Sequence, residues 1–169
     1  MKIQIIGFSG SGKSTLTRTL SKHYEIPALH LDAVHFYGDW QERTVEEQTD
    51  IVRQFMKENP SWIIDGNYSM VARERFEESD LTIFLAYNRL TCYFNCRNRY
   101  KKHKGTHRED CPCEEKFDFE FRKWILWTGR KRKRVQNMHV NLNRTSGEKV
   151  VLKNQRQLQK WLKEKGIQS

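Results

Sequence analysis

The chain has 169 residues, which is enough for one hydrophobic core and too few for two domains of ordinary size, so we expect a single domain over residues 1–169. Its apolar runs are far shorter than the about 20 residues of a membrane span, and it begins with a strand-like run instead of a signal peptide, which predicts a cytoplasmic protein without membrane contact. The 31 Lys and Arg residues exceed the 21 Asp and Glu residues and give a net charge of +10, which favours anionic ligands or partners.

Short apolar runs alternate with helical patterns along the chain. Strands are predicted at residues 2–6, 28–31, 62–65, 81–86 and 149–152. Several of these runs are continuously apolar, which is typical of a parallel sheet buried on both faces. Helices are predicted at residues 13–23, 45–58, 70–78, 89–102, 114–133 and 155–165. The alternation predicts a three-layer α/β fold of the P-loop NTPase kind, with a five-stranded parallel sheet and helices on both faces.

Local signals mark the ends of two predicted helices. Thr44 and Glu47 form a capping box before the helix over residues 45–58. Asp110 and Pro112 are start signals for the long helix over residues 114–133. Its basic run at residues 130–134 would then lie at the negative end of the helix dipole, which it would stabilise.

The segment G-F-S-G-S-G-K-S at residues 7–14 completes the phosphate-loop pattern G-x-x-x-x-G-K-[ST], between the first predicted strand and the first predicted helix. Its glycines allow positive φ angles, so that successive N–H groups and the positive helix end converge on phosphate. Lys13 reaches the β- and γ-oxygens, the Ser14 hydroxyl is placed to ligate Mg²⁺, and Thr15 is placed for the α-phosphate. We therefore expect ATP to contact Gly7, Phe8, Ser9, Gly10, Ser11, Gly12, Lys13, Ser14 and Thr15.

Two acids follow predicted strands, at the sheet edge where parallel α/β sheets bind ligands. Asp65 closes the run W-I-I-D and is a candidate ligand of Mg²⁺, directly or through a water, or else an ordinary Asp before a glycine turn. Asp32 follows the second strand and has three candidate roles: metal ligand, substrate-orienting group, or the base that takes a proton from an attacking hydroxyl. A structural Asp32 that caps the next turn is the remaining alternative.

The positive charge is concentrated in residues 97–134, which hold 14 Lys or Arg and 6 Asp or Glu. A basic arm over an anionic ligand and a surface for nucleic acid both agree with this charge, which does not separate them. We interpret the run at residues 130–134 as a solvated helix end rather than a DNA-binding element.

The phosphate loop, Asp65-Gly66 and the arginine-rich segment between the fourth and fifth strands together resemble the adenylate-kinase-like family of small P-loop kinases. Within this family the chain is similar to the bacterial topology modulation, or FlaR-related, proteins. The similarity lies in Leu31-Asp32 with Trp40 downstream, and in the runs W-I-I-D-G-N-Y at residues 62–68, G-T-H-R at 105–108 and F-x-F-x-F-x-x-W at 117–124. It extends over nearly the whole chain.

This resemblance implies a mobile helical lid over ATP, formed here by residues 97–115. In similar kinases lid arginines close on the transferred phosphoryl group, and the matching candidates are Arg97, Arg99 and, foremost, Arg108. A forked guanidinium suits this role because the developing charge is spread over several oxygens. Arg97 and Arg99 are equally well interpreted as parts of a solvated basic face.

One segment departs from the adenylate kinases, where D-G-F-P-R follows the third strand and its arginine grips the acceptor's phosphate. This chain has D-G-N-Y at residues 65–68, which puts recognition of a nucleoside monophosphate in doubt. Arg73 and Arg75, in the predicted helix that follows, are candidate replacements or else part of a surface face. Aromatic residues near the second and third strand ends are candidates for stacking on a planar acceptor or for the core: Phe36, Tyr37, Trp40 and Tyr68.

The four cysteines beside a nucleotide-binding loop are typical of reduced cytosolic thiols. Their spacings, C-x-x-x-C at residues 92–96 and C-x-C at 111–113, differ from the C-x-x-C pairs usual in lid zinc sites. We therefore expect buried or free thiols in preference to structural zinc.

The sequence thus predicts an ATP- and Mg²⁺-dependent phosphotransferase that acts on a small acceptor, which is a nucleotide, a nucleoside or another hydroxyl-bearing metabolite. The catalytic candidates are Lys13, Asp32, Arg97, Arg99 and Arg108, and the metal candidates are Ser14 and Asp65. The alternative is an ATP-binding regulatory protein that contacts DNA through its basic segment and uses hydrolysis as a switch.

Overall fold

The computed structural model describes residues 1–37, 40–106 and 110–168. Within these residues five strands form one parallel sheet, in the order β2-β3-β1-β4-β5. The strands are β1 (Lys2–Gly7), β2 (Ala28–His30), β3 (Trp62–Asp65), β4 (Leu81–Leu85) and β5 (Glu148–Leu152). Ile5 of β1 lies opposite Asp65 of β3, which brings the end of β3 beside the start of the phosphate loop.

Eight α-helices connect and cover the strands in the described part of the chain. They are α1 (Lys13–Tyr24), α2 (Leu31–His35), α3 (Val45–Glu58), α4 (Glu74–Glu77), α5 (Arg89–His103), α6 (Phe119–Leu126), α7 (Arg132–Arg144) and α8 (Gln155–Glu164). The capping box before α3 is confirmed, since Glu47 N donates to Thr44 Oγ1 at 3.2 Å and Thr44 N donates to Glu47 Oε2 at 2.8 Å. None of the described helices is both long and apolar enough to cross a membrane.

Both faces of the sheet are buried under helices. On one face Ile3 and Ile5 pack with Leu16 and Leu20 of α1, in a cluster that also contains residues of α5 and α8. On the other face, Trp62 packs with side chains of α2 and α3, and β1 and β4 pack with α4 and α7. This arrangement confirms the predicted α/β fold with a parallel sheet and helices on both sides.

The prediction of one long helix over residues 114–133 is wrong. The α6 helix begins only at Phe119, because Asp118 Oδ1 accepts a hydrogen bond from Phe121 N at 2.8 Å and caps it there, downstream of Asp110 and Pro112. It ends at Leu126, and a 3₁₀ turn with Gly129 leads into α7. The basic run therefore straddles the start of α7, the positive end of its dipole, instead of the end of a preceding helix.

The other differences between the predicted and the observed secondary structure involve short or polar elements. The α2 helix has 5 residues, too few to show a helical period, and it takes over Leu31 from the predicted strand. The predicted helix over residues 70–78 is reduced to α4, with 4 residues. The α7 helix was not predicted beyond its first residues, because its buried side chains Met138, Asn141 and Leu142 form only a narrow face in a polar sequence.

Candidate active site

The phosphate loop is shaped by glycines and held by α5. Gly10 and Gly12 have φ angles of 78° and 92°, in the left-handed region that other residues rarely adopt. A Cβ atom on Gly10 would lie 2.4 Å from the carbonyl oxygen of Cys92 in α5. Asn95 Nδ2, one turn further along α5, donates to the Gly10 carbonyl at 2.9 Å. The loop therefore lies against the first turns of α5, and only glycine fits at position 10.

Residues 8–16 line a cavity of about 1270 Å³ that opens at the carboxyl ends of the strands. Lys13 curls over the loop, because its Nζ donates to the carbonyls of Gly7 at 3.0 Å and Phe8 at 3.1 Å. The buried Ser11 Oγ has no hydrogen-bond partner among the described residues. A lysine held on weak carbonyl partners and an unpartnered hydroxyl both suit a phosphate group, since ionised acceptors make stronger hydrogen bonds than neutral ones.

Asn67, in the turn after β3, fixes the start of this loop. Its Nδ2 donates to the Gly7 carbonyl at 2.7 Å, and its Oδ1 accepts from Gly7 N at 3.0 Å. These two bonds satisfy both backbone groups of the residue at which β1 ends. Asn67 was not among the predicted site residues, although it stands at the point where D-G-N-Y departs from the adenylate kinases.

Tyr68, the next residue, reaches Asp32 at the end of β2. Its hydroxyl donates to Asp32 Oδ1 at 2.7 Å, and both side chains line the cavity. Burial and the neighbouring carboxylate raise the pKa of Tyr68 well above its usual value, so the phenol stays protonated and remains a donor. Asp32 is thereby held in one orientation toward the cavity, with Oδ2 outside this bond.

Asp65 occupies a more enclosed position. It is 3% exposed, and its Oδ2 accepts from Thr17 Oγ1 at 2.8 Å and lies 2.8 Å from His30 Nδ1. Burial alone lowers the pKa of His30, but the hydrogen bond and charge of Asp65 outweigh burial and raise it. The side chains that line the cavity include Ser14 and Asp32 but not Asp65.

The oxygen donors near the loop suit a hard cation. No group of three His, Cys, Asp or Glu side chains in the described residues forms a metal cluster. Mg²⁺ needs none, because it binds through one or two protein oxygens together with phosphates and waters. The Ser14 residue lines the cavity beside the loop. Thr17 lies one helical turn further along α1 and donates a hydrogen bond to Asp65.

Aromatic rings form a wall of the cavity beside Asp32. The ring centroids of Phe36 and Trp40 are 5.1 Å apart, and the His35 ring lies 4.6 Å from that of Tyr68. Trp40 has a φ of 61°, in a region that bulky residues seldom occupy. Of the four aromatic candidates, Phe36, Trp40 and Tyr68 line the cavity, whereas Tyr37 is 55% exposed outside it.

Arg99 of α5 and part of the segment between α5 and α6 line the cavity. Arg99 forms an ion pair with Glu115 of that segment, with Nε and Oε1 2.9 Å apart. Arg18 of α1 lies 3.8 Å from Asp110, and Lys116 Nζ lies 4.6 Å from the centre of the Trp40 ring. The candidate Arg97 is exposed and is not one of the cavity-lining residues, and Arg108 lies outside the described residues.

Three further residues line the cavity on the side of the phosphate loop. Trp124 Nε1 donates to Ser9 Oγ at 3.3 Å, and the Arg134 guanidinium lies 4.4 Å from the Trp124 ring. The Arg130 guanidinium lies 3.8 Å from the centre of the Phe8 ring and donates to the Tyr87 carbonyl at 3.0 Å. Trp124 belongs to the motif at residues 117–124, and Arg130 and Arg134 belong to the basic run. The run was predicted to be a solvated helix end, so the place of these two arginines at the cavity was not foreseen.

The candidate replacements for the missing acceptor arginine lie elsewhere. Arg75 is fully buried, and its Nε donates to Gln4 Oε1 at 3.1 Å while its Nη2 donates to the Tyr68 carbonyl at 3.0 Å. It stabilises the turn after β3 and does not line the cavity. Arg73 is exposed outside the cavity. All four cysteines are buried.

No protein-family model and no curated protein matches the chain. Several solved structures do. A shikimate kinase from Bacteroides thetaiotaomicron aligns with a TM-score of 0.56 and 15% identity over 99% of each chain. A shikimate kinase from Acinetobacter baumannii in complex with shikimate aligns with a TM-score of 0.54 and 12% identity, over 97% of this chain and 94% of that one. A deoxyadenosine kinase from M. mycoides aligns with a TM-score of 0.52 and 15% identity, over 98% of this chain and 99% of that one.

These similarities establish the fold. The chain has the α/β fold of small P-loop kinases. Almost the whole length of each chain takes part in the alignment.

Proposed function

We propose that the protein is an ATP-dependent phosphotransferase that acts on the hydroxyl group of a small acceptor. The observation that carries this proposal is that one cavity contains both a phosphate loop and a carboxylate oriented from another strand end, Asp32. A phosphate loop alone suits any nucleotide-binding protein. A second, oriented carboxylate in the same cavity suits transfer to a bound hydroxyl.

The phosphate loop supplies the binding of ATP. Its N–H groups and the start of α1 hold the β-phosphate, and Lys13 exchanges its two carbonyl partners for phosphate oxygens. Gly10 and Asn67 keep the loop in this shape before the nucleotide arrives, so the site needs little reorganisation.

Asp32 supplies the base. As the acceptor oxygen bonds to the γ-phosphorus, the bond from that phosphorus to the β,γ-bridging oxygen breaks and ADP leaves. The acceptor's proton passes to Asp32, whose orientation is fixed by the Tyr68 hydroxyl. Tyr68 stays protonated throughout because its pKa is raised.

Arginines above the loop complete the site. Arg99 contacts the transferred phosphoryl group when the lid over residues 97–115 closes, and its pairing with Glu115 holds it at the cavity until then. Arg130 and Arg134 lie above the loop and add positive charge there. Arg97 and Arg108 retain their proposed roles in the closed lid.

Mg²⁺ belongs to the proposed site as a bound partner of ATP. The Ser14 hydroxyl would hold it directly, and Asp65 would hold it through a water because its Oδ2 is engaged by Thr17 and His30. When bound, the ion neutralises charge on the β- and γ-phosphates.

A transfer assay tests the proposal. Labelled phosphate from ATP is followed with nucleoside monophosphates, nucleosides, sugars and amino alcohols, and with water alone, for the wild type and for Lys13→Ala. We expect at least one acceptor to be phosphorylated much faster than ATP is hydrolysed, and Lys13→Ala to abolish this transfer while keeping the circular dichroism spectrum. Transfer that survives in Lys13→Ala, or ATP turnover that no acceptor accelerates, would contradict the proposal.

A further inference from the structure

The acceptor end of the cavity has a distinctive composition. We define it as Asp32, Phe36, Trp40, Glu42 and Tyr68, all of which line the cavity. Its apolar surface comes from the aromatic wall, with ring centroids of Phe36 and Trp40 5.1 Å apart. Such faces bind planar rings by stacking and the C–H groups of saturated rings by dispersion.

The charged groups of this end are mainly carboxylates. Asp32 lines the cavity and accepts a hydrogen bond from the Tyr68 hydroxyl. Glu42 also lines the cavity, with its Oε1 3.4 Å from His35 Nε2 and a side chain that is 65% exposed. An incoming anion would therefore meet two like charges.

Two arginines near this end are engaged by the protein itself, whereas Arg18, which lines the cavity, lies 3.8 Å from Asp110. Arg43 Nη1 donates to the carbonyls of Val34 at 2.8 Å and Phe36 at 3.1 Å, and so fastens the backbone that carries the aromatic wall. Arg75 is fully buried against Gln4 and the Tyr68 carbonyl. Neither guanidinium faces the acceptor end, since neither lines the cavity.

One cation does contact this end within the described residues. Lys116 lines the cavity, and its Nζ lies 4.6 Å from the centre of the Trp40 ring. Its single charge is opposed by Asp32 and Glu42. Among the described residues that form or contact the acceptor end, two carboxylates therefore stand against one lysine.

We infer that the acceptor is a neutral or cationic alcohol that presents a ring to the aromatic wall and a hydroxyl to Asp32, and that it carries no phosphate or carboxylate group of its own. This inference rests on the proposed phosphotransferase function. The products are ADP and the phosphate monoester of that alcohol, and the proton of the hydroxyl leaves through Asp32. Retention of the product is disfavoured by the same carboxylates, since it carries the charge that the acceptor lacked.

Paired acceptors test this class directly. Each pair consists of a ring-bearing alcohol and its phosphate ester, and both members have a free hydroxyl: adenosine and AMP, thymidine and TMP, and glucose and glucose 6-phosphate. The kcat/KM of transfer from ATP is measured for both members. We expect the unphosphorylated member of the best pair to be favoured at least tenfold. A preference for the phosphorylated member would overturn the inference and leave the proposed function intact, whereas the absence of transfer to every member would overturn both.

Matched charge reversals separate a local effect from a general one. Glu42→Lys places a cation at the acceptor end, whereas Glu46→Lys makes the same change on the exposed first turn of α3, outside the cavity. We expect Glu42→Lys to shrink the preference for the unphosphorylated acceptor at least fivefold, mainly through a lower KM for the phosphorylated one. Glu46→Lys should leave the preference within twofold of wild type. Equal effects of the two variants, or no effect of Glu42→Lys, would overturn the inference.

Discussion

Asn67 and Gly7 exchange two hydrogen bonds, so that the turn after β3 fixes the residue at which the phosphate loop begins. The neighbouring Tyr68 extends the same turn to Asp32, at the end of β2. Arg75 stabilises the turn by donating a hydrogen bond to the Tyr68 carbonyl. The phosphate loop and Asp32 are thus positioned by adjacent residues.

We predict that Asn67→Ala weakens ATP binding as well as stability. The change leaves the N–H group of Gly7 without its side-chain partner and leaves the Gly7 carbonyl with Lys13 Nζ alone, which costs about 1–3 kcal/mol of the free energy of unfolding. The loop loses its fixed start, so we expect the Kd for ATP to rise roughly tenfold, an increase that corresponds to about 1.4 kcal/mol. Calorimetric titration with ATP and urea unfolding measure the two effects.

Asn154→Ala is the control for that prediction. Asn154 caps α8 by accepting from Gln157 N at 2.9 Å, so its loss costs about 1 kcal/mol of stability. It does not line the cavity, and ATP affinity should stay at the wild-type value. Equal losses of ATP affinity in the two variants would show that stability, and not the loop, limits binding.

Gly10→Ala should be far more damaging than Gly166→Ala. The two glycines have φ angles of 78° and 73°, so a Cβ atom meets the same backbone penalty of about 1 kcal/mol at both. At Gly166 the new atom meets nothing within 4 Å, whereas at Gly10 it lies 2.4 Å from Cys92 O and 2.6 Å from Cys96 Sγ. Overpacking adds about 1–3 kcal/mol to the cost for Gly10→Ala. Thermal unfolding of both variants measures the difference, and similar Tm values would contradict the described contact with α5.

Asp65→Asn should affect the dependence on Mg²⁺ more than the affinity for ATP. Asp65 lies behind Thr17 and does not line the cavity, so nucleotide binding should change by no more than a small factor. Loss of a carboxylate that orients a metal-bound water lowers activity by about 10- to 100-fold. The rate of phosphate transfer is measured against the concentration of Mg²⁺.

Asp80→Asn provides the comparison for that experiment, because Asp80 is exposed at the opposite end of the sheet, where its Oδ2 accepts from Lys2 N at 2.7 Å. It should retain the wild-type Mg²⁺ profile. If Asp65→Asn retains that profile as well, the ion is held by Asp32 or by water instead.

The thiols of α5 should resist alkylation in the folded protein. Burial raises the pKa of Cys96 to about 11, and burial also raises that of Cys92. At pH 8 only about one Cys96 thiol in a thousand is then ionised, and the thiolate is the reactive form. Pulsed labelling with iodoacetamide, followed by mass spectrometry, should modify both residues only as the protein unfolds. Rapid labelling of Cys96 at pH 8 without unfolding would contradict its burial beneath the phosphate loop.

Arg99→Lys should distinguish a catalytic arginine from a basic surface. The substitution keeps the charge but removes the fork that contacts several phosphoryl oxygens, so we expect kcat to fall roughly tenfold or more. Arg132→Lys makes the same change at an exposed position outside the cavity and should leave kcat unchanged.

The DNA-binding alternative makes the opposite forecast. If the basic segment serves DNA, Lys131→Ala and Lys133→Ala should weaken duplex binding and reduce its salt dependence, while Arg99→Lys remains silent. Fluorescence anisotropy with a labelled duplex at several salt concentrations measures this. That combined result would favour the regulatory function over the phosphotransferase.

Local patterns explain what could be predicted from the sequence. Buried parallel strands are continuous apolar runs, and the phosphate loop is a contiguous motif, so both are visible without tertiary information. The capping box before α3 is equally local and was predicted correctly. The fold class follows from the alternation of these elements.

Long-range contacts explain what could not be predicted. The sequence pattern allows Arg75 to lie on the surface of a predicted helix. Its burial depends on Gln4, which is 71 positions away in the sequence. The bond of Asn67 to Gly7 spans 60 positions. The start of α6 depends on a choice between two local start signals, and the helix begins after the Asp118 cap instead of after Asp110 and Pro112. The burial of Arg75 and the bond of Asn67 are decided by partners that no local pattern contains.

The turn at residues 66–69 restricts how this protein can diverge. Because Asn67 binds the start of the phosphate loop and Tyr68 binds Asp32, an insertion or deletion between Gly66 and Ser69 would displace both contacts at once. Paralogues that change their acceptor while retaining ATP must therefore keep the length of this turn and vary elsewhere, in the segment that carries Phe36, Trp40 and Glu42. Sequence variation within a family of such proteins should accordingly be concentrated on the β2 side of the cavity.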